Sequence, residues 1–298
     1  MAKIAGIIPP VVNPLKSDET LDESAFAAHV AHLLEAGVHG VFVLGTAGEQ
    51  AALLNTERQK VIRRAVSEVA GRVPVLVGVM AAGTKQAVLN AQEAEALGAD
   101  VVVATLPYYY PTPGDVQVIE HFTTIAESIR LPLMLYNIPQ AVKSGISLNA
   151  ARSLSEIPNI IGVKDSQESW QHVQQMLVAF DGRENFRVLV GSEANVCVAL
   201  LFGASGAVLG ISNVIPRCCV QLYDAARRGD TRAAFERQKQ LMDAQRIYNH
   251  GFWLSCQKAA VSLLGFGELH LTKPLPTVSP EGLAGIREIL RTHGVLKG

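Results

Sequence analysis

Three times along this chain a helical stretch closes on a glycine and runs, after a short turn, into an apolar strand. The joints are Glu35-Ala36-Gly37-Val38-His39-Gly40-Val41-Phe42-Val43-Leu44, Ala96-Leu97-Gly98-Ala99-Asp100-Val101-Val102-Val103 and Leu201-Phe202-Gly203-Ala204-Ser205-Gly206-Ala207-Val208-Leu209. A glycine at such a point lets the backbone make the left-handed turn that ends a helix. Joints of this kind are what a repeated βα architecture requires. Marking the remaining apolar runs gives eight strands, at residues 5–12, 40–44, 74–79, 100–105, 132–137, 159–164, 187–191 and 206–211. Amphipathic stretches at 21–36, 56–70, 84–97, 116–129 and 169–180 lie between them and read as helices. The strands are continuous apolar runs that seldom alternate, as parallel strands covered on both faces do.

Eight βα units predict an α/β fold of the (β/α)8 TIM-barrel type, for which about 250 residues is usual. A doubly wound open sheet is the alternative. It would be favoured by a glycine-rich fingerprint after the first strand, and none follows Ile8-Pro9-Pro10-Val11. Beyond residue 211 only helical patterns remain, at 216–227, 231–250, 252–264 and 280–291. The first can serve as the eighth barrel helix, so residues 1–227 are read as the barrel. Residues 228–298 are read as a C-terminal helical extension packed on its side.

Composition narrows the function. A net charge of −1 over 298 residues offers no basic face for nucleic acid and no reason to expect a membrane surface. Residues 194–216 carry no charge, but Asn195, Gly203, Ser205, Gly206, Gly210, Ser212 and Asn213 divide them into a short helix, a turn and a strand. The start Met1-Ala2-Lys3-Ile4-Ala5-Gly6 has no signal-peptide pattern. Cys197, Cys218, Cys219 and Cys256 match no zinc or redox spacing, so free thiols in a reducing cytoplasm are expected. His29 and His32 share a helix face without a third ligand and are expected on the solvated surface; no metal site is expected.

Chemistry enters at Lys164, inside the apolar run Asn159-Ile160-Ile161-Gly162-Val163-Lys164-Asp165-Ser166. An ammonium buried there costs several kcal/mol unless it is paired or loses its proton. A neutral lysine amine is a nucleophile toward ketones and aldehydes. A bland alternative is an amine that escapes to solvent at the strand end. Its neighbours at the C-terminal strand ends, where barrels place their sites, weigh against that. They are Gly45-Thr46-Ala47-Gly48-Glu49, Pro107-Tyr108-Tyr109-Tyr110-Pro111, Tyr136-Asn137-Ile138-Pro139 and Gly191-Ser192-Glu193. Lys164 would attack the C2 carbonyl of a 2-oxo acid, and the protonated imine is its own electron sink, so no cofactor is required. Tyr136, one strand away, is the candidate proton shuttle. The amides of the Gly45–Gly48 loop are candidate donors to the substrate carboxylate. Glu49 is expected to brace that loop. Lys258 is expected to be structural and away from the mouth.

Four of these segments, in order along nearly the whole chain, resemble the dihydrodipicolinate synthase / N-acetylneuraminate lyase family of class I aldolases. They are Gly45-Thr46-Ala47-Gly48-Glu49, Pro107-Tyr108-Tyr109, Tyr136-Asn137-Ile138-Pro139 and Gly162-Val163-Lys164-Asp165-Ser166. The resemblance implies Lys164 as Schiff-base former, Tyr136 as proton relay, and Thr46 as the hydroxyl linking Tyr136 to Tyr109. It implies that Tyr109 reaches in from a neighbouring subunit, hence a homo-oligomer, dimer or tetramer. It places Ala47, Gly48, Gly191 and Val208 around the pyruvate. Two positions depart from the family pattern. Ala47 lacks the family's second hydroxyl, and Ala141 stands where synthases proper carry an arginine for the second carboxylate. The expected activity is therefore a cofactor-independent lyase, aldolase or dehydratase, on pyruvate or another 2-oxo acid, such as a 2-keto-3-deoxy sugar acid. The alternatives are 4-hydroxy-tetrahydrodipicolinate synthase itself, a non-catalytic barrel binding a 2-oxo acid, and an unrelated barrel isomerase or phosphate-binding enzyme.

Overall fold

The computed structural model describes residues 4–296; Met1, Ala2 and Lys3 of the segment read for a leader lie outside the described residues, as do Lys297 and Gly298. Eight parallel strands are present: β1 Gly6–Ile7, β2 Val41–Val43, β3 Val75–Gly78, β4 Val101–Thr105, β5 Leu133–Asn137, β6 Ile160–Asp165, β7 Arg187–Val190 and β8 Gly206–Ala207. Each pairs with its sequence neighbour from β2 to β8, and β8 pairs with β1. The remaining gap closes between β1 and β2. Val11 N donates to Phe42 O at 2.8 Å and Phe42 N to Pro9 O at 2.9 Å, a parallel bridge at Pro10. The expected TIM barrel is present.

Every expected strand appears, but the first and last are short. Pro9 and Pro10 have no N–H to give a ladder, so β1 stops at Ile7. β8 gives way to a 3-10 turn at Gly210–Asn213. Between the strands run α1 Glu23–Glu35, α2 Asn55–Val69, α3 Thr84–Ala96, α4 Asp115–Glu127, α5 Pro139–Val142, α6 Leu148–Leu154, α7 Trp170–Ala179 and α8 Val196–Leu201, with α9 Pro216–Arg227 after β8. Asp22 and Ser147 cap α1 and α6 by accepting from Ala25 N and Ala150 N, both at 3.0 Å. The short α5 and α6 were not visible as periodic segments.

The last helices are α10 Thr231–Ala244, α11 Trp253–Leu263 and α12 Pro280–Thr292. The helix expected over 231–250 ends at Ala244 and tightens into a 3-10 segment, Gln245–His250. These elements pack on α8, α9 and the Gly210–Asn213 turn, at the end of β8. No helix among the described residues is long and apolar enough to cross a membrane. All four cysteines are free thiols.

His29 corrects an expectation. It is fully buried, not solvated, because the C-terminal segment covers that face of α1. Its ring stacks on Phe266 at 5.2 Å, and Nε2 lies 3.3 Å from Asn213 O. Burial pushes the imidazole pKa down to about 4, only partly offset by the Asn213 carbonyl. The unfolded chain therefore binds a proton between its ordinary pKa of 6.5 and about 4 that the folded chain refuses. Stability from this residue is full above pH 6.5 and is lost as pH falls toward 4, by about 3 kcal/mol. Urea unfolding across pH 4–7 should show that loss, and His29→Gln should flatten it; an unchanged slope in the variant would exclude His29 as its source.

Candidate active site

Register places the central pair. Tyr136 on β5 lies directly opposite Lys164 on β6 in the parallel ladder. Residues facing each other across adjacent strands point to the same side, so both side chains enter the barrel mouth together. Lys164 does not escape to solvent; it is 5% exposed. Its Nζ sits 3.7 Å from the centroid of the Tyr136 ring and 5.1 Å from that of Phe42. An ammonium on an aromatic face recovers about 0.5–2 kcal/mol of its desolvation cost. Burial alone would raise the Tyr136 phenol pKa. The Lys164 charge and hydrogen bonds from Thr46, Lys164 and Ser166 outweigh burial and hold it below its ordinary value.

The next residue along β6 points the other way. Asp165 is fully buried on the outer side, 3.0 Å from His172 Nε2, and accepts from Asn137 Nδ2 at 3.2 Å and Gln167 N at 2.9 Å. This outer network ties the ends of β5 and β6 together and fixes which residues face inward. Gly191, following β7, is glycine for lack of room. A Cβ there would sit 2.0 Å from Ser166 Oγ and 3.2 Å from Lys164 Cε.

Thr46, Ala47, Tyr136, Lys164, Gly191 and Val208 line one cavity of about 470 Å3. Thr46 Oγ1 stands 3.4 Å from Tyr136 Oη, long for a hydroxyl pair. The loop behind them is a 3-10 turn, Thr46–Gly48. Gly48 does not line the cavity. Its amide donates to Gly45 O at 3.0 Å and its carbonyl accepts from Asn13 Nδ2 at 2.6 Å. The Thr46 and Ala47 amides donate to no described group, which leaves them as the loop's available donors. Tyr109 is also outside the set. It is 68% exposed, edge-on to Tyr110 at 4.9 Å.

The other wall of the cavity comes from beyond the barrel. Gln245, Tyr248, Trp253 and Gln257, from the 3-10 segment and α11, face the strand ends with Glu193. Glu193 accepts from Ile211 N and Gln245 Nε2, each at 2.8 Å. Burial raises its pKa, while those donors and the Lys164 charge oppose the rise. Tyr248 is held well above its ordinary value by burial first and then by the Glu193 charge, so its phenol keeps its proton. Only Ser192-Glu193 of this wall was noted from sequence.

The model of the Dihydrodipicolinate synthetase family matches residues 3–293. This chain belongs to that family. An uncharacterized DapA-like lyase of Halobacterium salinarum is 36% identical over 98% of this chain and 94% of its own length. A protein of Escherichia coli K12 named "Probable 2-dehydro-3-deoxy-D-pentonate aldolase YjhH" is 33% identical, covering 99% of each chain. The crystal structure of YagE from E. coli K12, in complex with pyruvate, superposes with a TM-score of 0.94 at 31% identity, covering 99% of this chain and 100% of that one.

Within the Dihydrodipicolinate synthetase fold, Lys258 is structural, as expected, but it lies nearer the mouth than expected. It is buried in an ion pair with Glu49, the residue that ends the Thr46–Gly48 turn in a left-handed conformation at φ 54°. The second Glu49 oxygen accepts from Thr272 N and Oγ1, both at 2.7 Å. Glu49 braces the loop as expected, and its partner is the lysine of α11. Glu49→Gln would leave that ammonium buried and unpaired, so a loss of about 3–5 kcal/mol is expected in chemical denaturation. A loss under 1 kcal/mol would show that the pair does not hold the turn.

Proposed function

We propose that this lyase forms a Schiff base between Lys164 and the C2 carbonyl of a 2-oxo acid, and cleaves or forms the bond between C3 and C4. The observation that carries the reading is the inward pairing of Lys164 with Tyr136 in one cavity, the amine 3.7 Å from the phenol ring. Attack by the amine and loss of water give the imine. Tyr136, with Thr46 beside it, moves the proton to the departing hydroxyl and takes one from the C4 hydroxyl. The C3–C4 electron pair then flows into the protonated imine, an aldehyde leaves, and the enamine is protonated at C3. Water releases pyruvate and restores Lys164. The Thr46 and Ala47 amides support the substrate carboxylate, with Gly191 and Val208 beside the pyruvyl carbons. The imine supplies the electron sink, so the reading calls for no cofactor or metal.

The substrate proposed is a 2-keto-3-deoxy sugar acid, the class named for the E. coli relative. Synthesis of 4-hydroxy-tetrahydrodipicolinate is disfavoured by Ala141. That residue lies on α5 against an adjoining apolar cavity, and the nearby Lys143 lines neither space. The non-catalytic reading rests on Ala47 alone.

Tyr109 completes the relay only if a second copy brings it to Thr46, so a homo-oligomer, dimer or tetramer, is proposed, in the cytoplasm. The barrel is proposed to be residues 1–227, and the extension 228–298 to serve as one wall of its cavity. Incubation with pyruvate and borohydride should add one reduced adduct at Lys164, absent in Lys164→Arg. Tyr136→Phe should lower kcat for aldol cleavage by about 10²–10⁴-fold. An unmodified native chain would exclude the mechanism.

A further inference from the structure

The pyruvyl half of the cavity is accounted for by the barrel strands, but the helical wall opposite carries polar groups that the imine chemistry does not use. Gln257 is fully buried. Its Nε2 donates to Gly210 O at 2.7 Å, which fixes the amide orientation, and its Oε1 has no partner. The Tyr248 hydroxyl is joined by no hydrogen bond to a described residue and belongs to a side chain that lines the same cavity. A buried acceptor left unpaired costs about 1–3 kcal/mol, so such a group is retained where something else satisfies it.

These two oxygens converge with a third, Glu193 Oε1. Gly210 has no side chain, and a Cβ placed on it would lie 3.2 Å from Gln257 Oε1, 3.2 Å from Tyr248 Oη and 3.3 Å from Glu193 Oε1. All four residues line the cavity that holds Lys164. Glu193 is itself pinned by Ile211 N and Gln245 Nε2, so the cluster is preorganised. Its spare capacity is for accepting, with the Tyr248 O–H as the one free donor. That is the complement of a hydroxyl group, which both donates and accepts. An aldehyde tail ending in a methyl would leave the cluster unpaired.

We propose that Gln257, Tyr248 and Glu193, converging at Gly210, form the specificity subsite that binds a hydroxyl on the tail of the non-pyruvyl half of the substrate. The inference rests on the Schiff-base reading and adds to it the residues that select a polyhydroxy tail. A site built to hydrogen-bond a substrate hydroxyl rejects the analogue without it far more strongly than an apolar pocket could.

The test compares kcat/KM for cleavage of 2-dehydro-3-deoxy-D-gluconate and of 4-hydroxy-2-oxopentanoate, which share the reacting carbons and differ in the tail. The native enzyme should favour the first by about tenfold or more. Tyr248→Phe, which removes one oxygen and keeps the ring, should reduce that ratio about three- to tenfold. Gly210→Ala, which fills the convergence point, should reduce it at least as far. A native enzyme trapped by pyruvate at Lys164 that does not discriminate the pair, or variants that leave the ratio unmoved, would overturn the subsite while sparing the Schiff-base mechanism. Absence of the pyruvate adduct in the native enzyme would remove both.

Discussion

The site depends on a single ladder pairing, Tyr136 opposite Lys164 across β5 and β6. A one-residue slip would turn Asp165 into the mouth and bury the lysine among the outer helices, since strand side chains alternate. The structure guards against the slip from the outside, where Asn137, His172 and the Gln167 amide hold Asp165. Polar groups behind the sheet thus determine the orientation of groups in front of it. Gly191 adds a steric condition, because only a residue without a side chain leaves room for Ser166 and the lysine stem.

The amine could have been neutralised by a carboxylate, as Lys258 is by Glu49. It instead rests against two aromatic faces, Tyr136 and Phe42. A ring quadrupole stabilises a cation less than a carboxylate does and asks for no fixed partner. The two buried lysines therefore serve opposite ends. One is locked in an ion pair that braces a loop. The other rests on two rings at the wall of the cavity, in no ion pair among the described residues.

Much of the barrel was legible because its signals are local. Continuous apolar runs marked all eight strands, and the helix-closing glycines marked the joints between them. Lys164, Tyr136 and Thr46 stood out because a polar residue at the end of an apolar strand is conspicuous in sequence. What was not legible depends on contacts between distant segments. Lys258 and Glu49 are 209 residues apart, and nothing near either one announces the other. His29 looked solvated because α1 alone does not show that Phe266 will cover it. Gln245, Tyr248 and Gln257 sit in unremarkable helical pattern, and only the return of the chain to the strand ends brings them to the cavity. Tyr109 lies exposed against Tyr110, outside the cavity that holds Thr46.

The Glu49–Lys258 pair has a consequence for how such proteins can diverge. The turn that carries Thr46 and Ala47 is anchored to the same helix that carries Gln257 and Trp253. Exchange of the C-terminal segment for that of a related barrel would replace one wall of the cavity and the ion-pair partner that anchors the Thr46–Gly48 turn in a single step.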